Sequence, residues 1–202
     1  MERSITIKDF TQVGLYEYLL VAQPDSAVNE KITAEKQSFF DEYQQKIAIK
    51  TKPHITIANF LAREMMEETI IRFMRRIFSR QPAFETALNN YSGFPSHAIY
   101  LRVQNQQPFK QLASELKPVA NYVHSCSCPP VKLITNPHLT IARRLPETVY
   151  LKAIMDYSHK SFYERFMVNE LVLLRRSSQY DTCKTIHVFP LQSSPRMNTL
   201  FN

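Results

Sequence analysis

His54-Ile55-Thr56-Ile57 and His138-Leu139-Thr140-Ile141 are two copies of a His-x-Thr-x pattern, each preceded by a proline and each running into apolar sequence. Histidine is the side chain that titrates near neutrality, and a threonine hydroxyl is a fixed donor. On a strand, alternate side chains share a face, so His54 joins Thr56 and His138 joins Thr140, about 7 Å apart along each strand. Ile55, Ile57, Leu139 and Ile141 then turn to the opposite side, into a core. Two such pairs make a cradle for an anion with an acid and a base beside it. A single His-x-Thr is ordinarily a surface or packed feature. Strand packing gives no reason to keep both a histidine and a threonine in two copies, so the repetition points to chemistry.

The words around the motifs also match, Lys52-Pro53-His54-Ile55-Thr56-Ile57-Ala58 against Asn136-Pro137-His138-Leu139-Thr140-Ile141-Ala142. Such self-similarity signals internal duplication. An apolar, aromatic strand candidate precedes each motif, Leu15 to Val21 and Ala98 to Val103, and each leads into a helical segment. A helix follows each motif, Arg63 to Phe78 with Met66, Ile70, Phe73, Met74 and Ile77 at helical spacing, and Glu147 to Lys160. Strand candidates Phe84 to Tyr91 and Asn169 to Arg175 close the two halves. The expectation is a single α/β (α+β) domain over residues 1–202, with lobes near 15–95 and 96–191, strands open to exchange between them, and the histidines facing across a pseudo-two-fold axis.

The chain resembles the two-histidine (2H) phosphoesterases, in their 2′-5′ RNA ligase-like and cyclic phosphodiesterase branch, from about Leu15 to Leu191. The resemblance rests on the two motifs, on Arg143 after the second, and on the closing segment Leu171 to Ser177 with Tyr180 and the strand Thr185 to Leu191. It implies a bilobal duplicated fold, with two antiparallel-rich sheets lining a central cleft and helices outside. It also implies a metal-independent enzyme without cofactors, with His54 and His138 catalytic and Thr56, Thr140 and Arg143 binding phosphate. The sequence departs from symmetry in one place, where Asn59-Phe60 stands opposite Arg143-Arg144.

Opening a 2′,3′-cyclic phosphate or a 2′-5′ phosphodiester needs a base for water and an acid for the departing ribose oxygen. Two imidazoles can hold opposite protonation states near neutrality. RNA ligation or end processing at the same site, and a non-catalytic RNA- or nucleotide-binding module, are the alternatives.

A formal net charge of +7 and a pI near 9.3 favour an acidic partner, here RNA or a small nucleotide. Arg143-Arg144 and Arg175-Arg176 are placed to flank the cleft, whereas Arg72, Arg75, Arg76 and Arg80 recur along a helix as a solvated face. Phe60, Tyr16, Tyr18 and Tyr180 are candidates to stack a base or line the cleft, with Arg176 beside them. The two glycines, Gly14 and Gly93, leave no glycine-rich phosphate loop, so side chains must bind phosphate.

Three cysteines, Cys126, Cys128 and Cys183, with no apolar leader and no membrane-length segment, give the expectation of a cytoplasmic chain with reduced thiols, and a monomer is expected. Cys126-Ser127-Cys128 lacks the second pair a zinc site needs, and His97, His159 and His187 stand without motifs. Ala34 to Gln45 reads helical, and Phe109 to Leu116 reads as a helix stopped by Pro118. Val119 to Thr135 would then be a loop able to cover the cleft. Residues 1–14 and the tail from Gln192 read as peripheral.

Overall fold

The computed structural model describes residues 14–94, 97–178 and 181–193. Among them the chain runs β1 (Tyr16–Ala22), α1 (Ser26–Tyr43), β2 (Ile55–Ala62), α2 (Glu67–Phe78), β3 (Phe84–Phe94) and β4 (Ala98–Val103). It continues through α3 (Gln107–Glu115), α4 (Lys117–Ser125), β5 (Lys132–Leu133), β6 (His138–Ala142), α5 (Glu147–Ser158), β7 (Tyr163–Val168), β8 (Glu170–Arg176) and β9 (Lys184–Pro190). Tyr180 and the first thirteen residues lie outside the described residues.

Local chemistry sets the helix ends. The Asp25 carboxylate accepts from the Val28 amide at 3.0 Å and starts α1 eight residues before the Ala34 expected from periodicity. Gln44, left-handed at φ 55°, ends it. Glu67 and Glu68 open α2 and Arg75 and Arg76 close it, each charge matched to its end of the helix dipole. α3 ends at Glu115, before Pro118 as expected, but no loop follows. Pro118 sits in the first turn of α4, where its missing N–H is no loss, so Lys117 to Ser125 is helix rather than loop.

The strands form a continuous antiparallel sheet in the order β7-β3-β4-β6-β2-β1-β8-β9, with β5 paired to β2. The two expected sheets are the two halves of this one, joined at its middle by the single residue pair Ile55–Leu139 between β2 and β6. The closing strand of each sequence half pairs with the opening strand of the other, β3 with β4 and β8 with β1. The helices cross over too: α1 packs on β6 and β7, α3 on β2. Gly93 lets β3 pass under α5, since a Cβ there would meet Tyr150 Oη at 2.6 Å and Ile154 Cδ1 at 2.8 Å.

Both motif strands carry a β-bulge at the same place. Leu20 and Val21 pair with Ala58 and Thr56, leaving Ile57 extra, and Ile99 and Tyr100 pair with Ala142 and Thr140, leaving Ile141 extra. A bulge reverses the alternation beyond it. Asn59 and Arg143 therefore turn to the side of the threonines, and Phe60 turns to the core.

This corrects the aromatic expectation. Phe60 is 2 % exposed and Tyr18 is fully buried, their rings stacked at 5.2 Å. Tyr18 donates to Glu67 at 3.0 Å, and Tyr16 lies under the Arg175 guanidinium, on the helix side. None of the three can stack a base in the cleft. Phe60→Ala is expected to cost about 3–5 kcal/mol in denaturant unfolding, as a buried aromatic does, while molecules that remain folded keep their phosphate affinity. Loss of affinity without loss of stability would return Phe60 to the site.

Candidate active site

β2 and β6 lie side by side at the centre of the sheet, antiparallel, so the Ile55–Leu139 pair sets each histidine toward the other motif's threonine. Both motifs open onto one cleft of about 580 Å³, lined by His54, Thr56, Asn59, His138, Thr140 and Arg143. That volume suits a small nucleotide. Leu19, Thr51, Leu174, Arg176 and Cys183 line it as well, and Phe94 lies beside His138. Residues 132–136 belong to the lining too, with β5 hydrogen-bonded to β2 through Asn59–Lys132 and Ala58–Leu133.

The two imidazoles are held alike. His54 Nδ1 lies 2.8 Å from the Lys52 carbonyl, and His138 Nδ1 lies 2.8 Å from the Asn136 carbonyl. A carbonyl only accepts, so Nδ1 carries the proton in both rings, and Nε2 is the nitrogen left for chemistry. The prolines at 53 and 137 favour extended backbone in Lys52 and Asn136, whose carbonyls these are. His138 is further fixed by rings of Phe94 at 4.8 Å and Tyr100 at 5.1 Å, themselves stacked at 4.2 Å.

Burial lowers the pKa of His54 to about 4, with Lys36, Arg143 and His138 adding to the effect against the Lys52 hydrogen bond. Burial also lowers that of His138, with Lys132 assisting and the Asn136 hydrogen bond opposing. In the ligand-free cleft the imidazoles are therefore neutral at pH 7. An anion entering between them would favour the protonated forms.

Arg143 is half-buried, its pKa lowered by burial and then by Arg144 and Arg176, against the pull of Glu17. Among the described residues no carboxylate pairs with it, and neither Thr56 nor Thr140 has its hydroxyl engaged by another protein group. Arg176 instead bonds Glu17, which also accepts from Asn59 Nδ2 at 2.7 Å. Asn59, Arg176 and Glu17 form a neutralised platform facing the open cation of Arg143.

The arginine doublets split, because neighbours on a strand point oppositely. Arg176 faces the cleft, while Arg175 binds Glu64 at 2.7 Å and Glu67 at 2.9 Å behind it. Arg144 is exposed and left-handed at φ 54°, and does not line the cleft. These two do not flank the cleft as expected. Arg72, Arg75 and Arg76 are exposed along α2 and Arg80 in the turn just past it; Arg72 and Arg75 line a separate groove with His187. His97 and His159 line no part of the cleft. Cys128 is buried against Met66 Sδ and Arg63, and among the described residues no cluster of three His, Cys, Asp or Glu is arranged to hold a metal ion.

Sequence reasoning misses Asn59, Thr51, Lys132, Phe94 and Cys183 as cleft residues. The bulge and the long-range pairing of β5 bring the first and third there, and neither has a local signal. No helix among the described residues is long and apolar enough to cross a membrane.

The family model of the 2′-5′ RNA ligase superfamily matches residues 24–179. No curated protein matches the chain in sequence. Among solved structures, E. coli LigT complexed with 3′-AMP is similar at a TM-score of 0.67 and 18 % identity, over 88 % of this chain and 98 % of that one. TT0787 of Thermus thermophilus is similar at 0.63 and 13 %, over 89 % and 100 %. The MHV ns2 PDE domain is similar at 0.51 and 12 %, over 80 % and 99 %. At these identities the structural likeness establishes the fold, and the family match covers most of the sequence. The chain belongs to the 2′-5′ RNA ligase superfamily, that of the two-histidine phosphoesterases.

Proposed function

We propose that the protein is a metal-independent phosphoesterase that hydrolyses a 2′,3′-cyclic phosphate or a 2′-5′ phosphodiester of RNA or a nucleotide. The observation that carries this reading is the matched pair of imidazoles, each pinned through Nδ1 by a backbone carbonyl and each lining the same cleft. LigT has been crystallised with 3′-AMP and with phosphate, ligands of the class this cleft would take.

In this mechanism one neutral Nε2 takes a proton from water as its oxygen bonds to phosphorus. The bond from phosphorus to the leaving ribose oxygen breaks, and the other imidazolium protonates that oxygen. Thr56 and Thr140 donate to the nonbridging oxygens, and Arg143 makes a charge-assisted contact as negative charge builds. Side chains supply acid, base and charge stabilisation, so the reaction needs no divalent ion. The three free cysteines accord with a cytoplasmic setting.

The test is turnover of nucleoside 2′,3′-cyclic phosphates, RNA ending in a cyclic phosphate and a 2′-5′-linked dinucleotide, all in excess chelator. Turnover of any of these is the expected result. Tight binding without turnover would make the protein a binding module, and strict dependence on an added ion would overturn the mechanism.

The pH profile is a second check. The neutral imidazole is lost as pH falls through the lower value of the pair, and the charged one is lost as pH rises through the higher. Both lie below 6.5 in the free protein, the lower near 4. The kcat/KM profile is therefore expected to peak between about pH 4 and 6.5. The kcat profile should sit at higher pH, because the bound anion favours imidazolium. A kcat/KM maximum above pH 7 would contradict the assignment.

A further inference from the structure

The buried face of α1 is Val28, Ile32, Lys36, Phe39 and Tyr43, an apolar stripe with a lysine in its middle. Lys36 is 3 % exposed. Its Nζ donates to Thr51 Oγ1 at 3.1 Å, and among the described residues no carboxylate lies within ion-pair range of it. A buried ammonium with only a hydroxyl for company is costly, and an apolar side chain of similar volume would be neutral or stabilising there. Packing gives no reason for it.

The surroundings do. Thr51 lines the same cleft as His54. Because an ammonium only donates, Thr51 Oγ1 must accept from Lys36, which leaves the hydroxyl's own proton for another acceptor. The field of Lys36 reaches both His54 and Arg143. We infer that Lys36 is a buried counter-cation for the phosphoryl group, acting on the cleft through the Thr51 hydroxyl.

The inference rests on the phosphoesterase reading and deepens it. Attack on a cyclic phosphate takes the phosphoryl group from one negative charge toward two. A fixed cation in a poorly solvated wall favours that state over the bound substrate, and it favours a dianionic monoester product as well. Lys36 is thus a positioning residue whose partner arrives with the ligand.

Burial, and then Arg143, lower the Lys36 pKa to about 8, so it is charged at neutrality. Other groups near it behave differently between pH 7.5 and 9.5. In the free protein His54 and His138 are neutral throughout, and a proton that either takes up with the anion is common to wild type and Lys36→Met. On β7, Glu164 is bound by Lys31 and Arg165 by Glu85 at the surface. Cys183, raised above its ordinary value of 9.0 by burial, faces Arg143 and is controlled by Cys183→Ser.

The experiment is calorimetric titration of inorganic phosphate into wild type, Lys36→Met and Cys183→Ser across pH 7.5 to 9.5, with melting curves in parallel. Wild type and Cys183→Ser are expected to lose affinity as pH rises through the Lys36 transition. Lys36→Met should bind phosphate roughly tenfold more weakly at pH 7.5, lose affinity with pH less steeply than wild type, and melt at or above wild type, whereas an equally steep loss in both overturns the inference. Wild-type affinity that is flat across this range overturns the inference, and that measurement needs no Lys36 variant to fold. Lys36→Met that melts lower but binds like wild type also overturns it, assigning the lysine a structural role. Wild type that binds no phosphate at all overturns the phosphoesterase reading, and this inference with it.

Discussion

Alanine at either His54 or His138 is expected to lower turnover of a 2′,3′-cyclic phosphate by roughly a hundred- to ten-thousand-fold. Each ring supplies one proton transfer, at the Nε2 that its Nδ1 bond to a backbone carbonyl leaves free. The two residues act on one reaction coordinate, so the double variant should fall little below the worse single one. Both rings are half-buried, and their removal leaves the Ile55–Leu139 seam intact, so unfolding curves should stay close to wild type. Single-turnover rates beside those curves make the comparison. Near-normal turnover by either variant would remove that histidine from the mechanism.

Arg143→Ala is expected to cost about a hundred- to a thousand-fold in kcat/KM, whereas Asn59→Ala should cost tenfold or less. The bulges at Ile57 and Ile141 place these residues at equivalent points of the two motif strands, so position does not separate them. Their partners do. Asn59 is held by Glu17, while Arg143 stands in the cleft with no carboxylate paired to it among the described residues. Arg143→Lys should recover little, because a point charge does not reproduce a planar fork on a phosphate. Equal losses at 59 and 143 would show that the site treats its halves alike.

The motif residues are legible in the sequence because two copies share a spacing and a flanking proline, and strand alternation alone sends His54, Thr56, His138 and Thr140 one way. The expected order strand, helix, motif strand, helix, strand holds for the first half, whereas the second adds α4 and the strands β5 and β7, whose pairing partners lie far away in the chain. The residues just past each motif are not legible, because a bulge depends on the partner strand and has no periodicity of its own. Even-numbered alternation from His54 would carry Phe60 into the cleft, and one inserted residue buries it instead. Pro118 reads as a stop because a proline ends one helix and begins the next with the same chemistry. Lys36 is visible as a charge on an otherwise apolar helix face, but its meaning depends on Thr51, fifteen residues along, and on a cleft formed by other elements.

The exchanged closing strands bear on how such a site can be inherited. Neither sequence half owns a complete half-sheet: β3 finds both its neighbours in the second half, and β1 takes β8 from it. A segment carrying one motif is therefore not a module that recombination can lift out and shuffle. The two histidines are bound to travel together, while each motif strand lines the cleft with its own residue, Asn59 on one and Arg143 on the other.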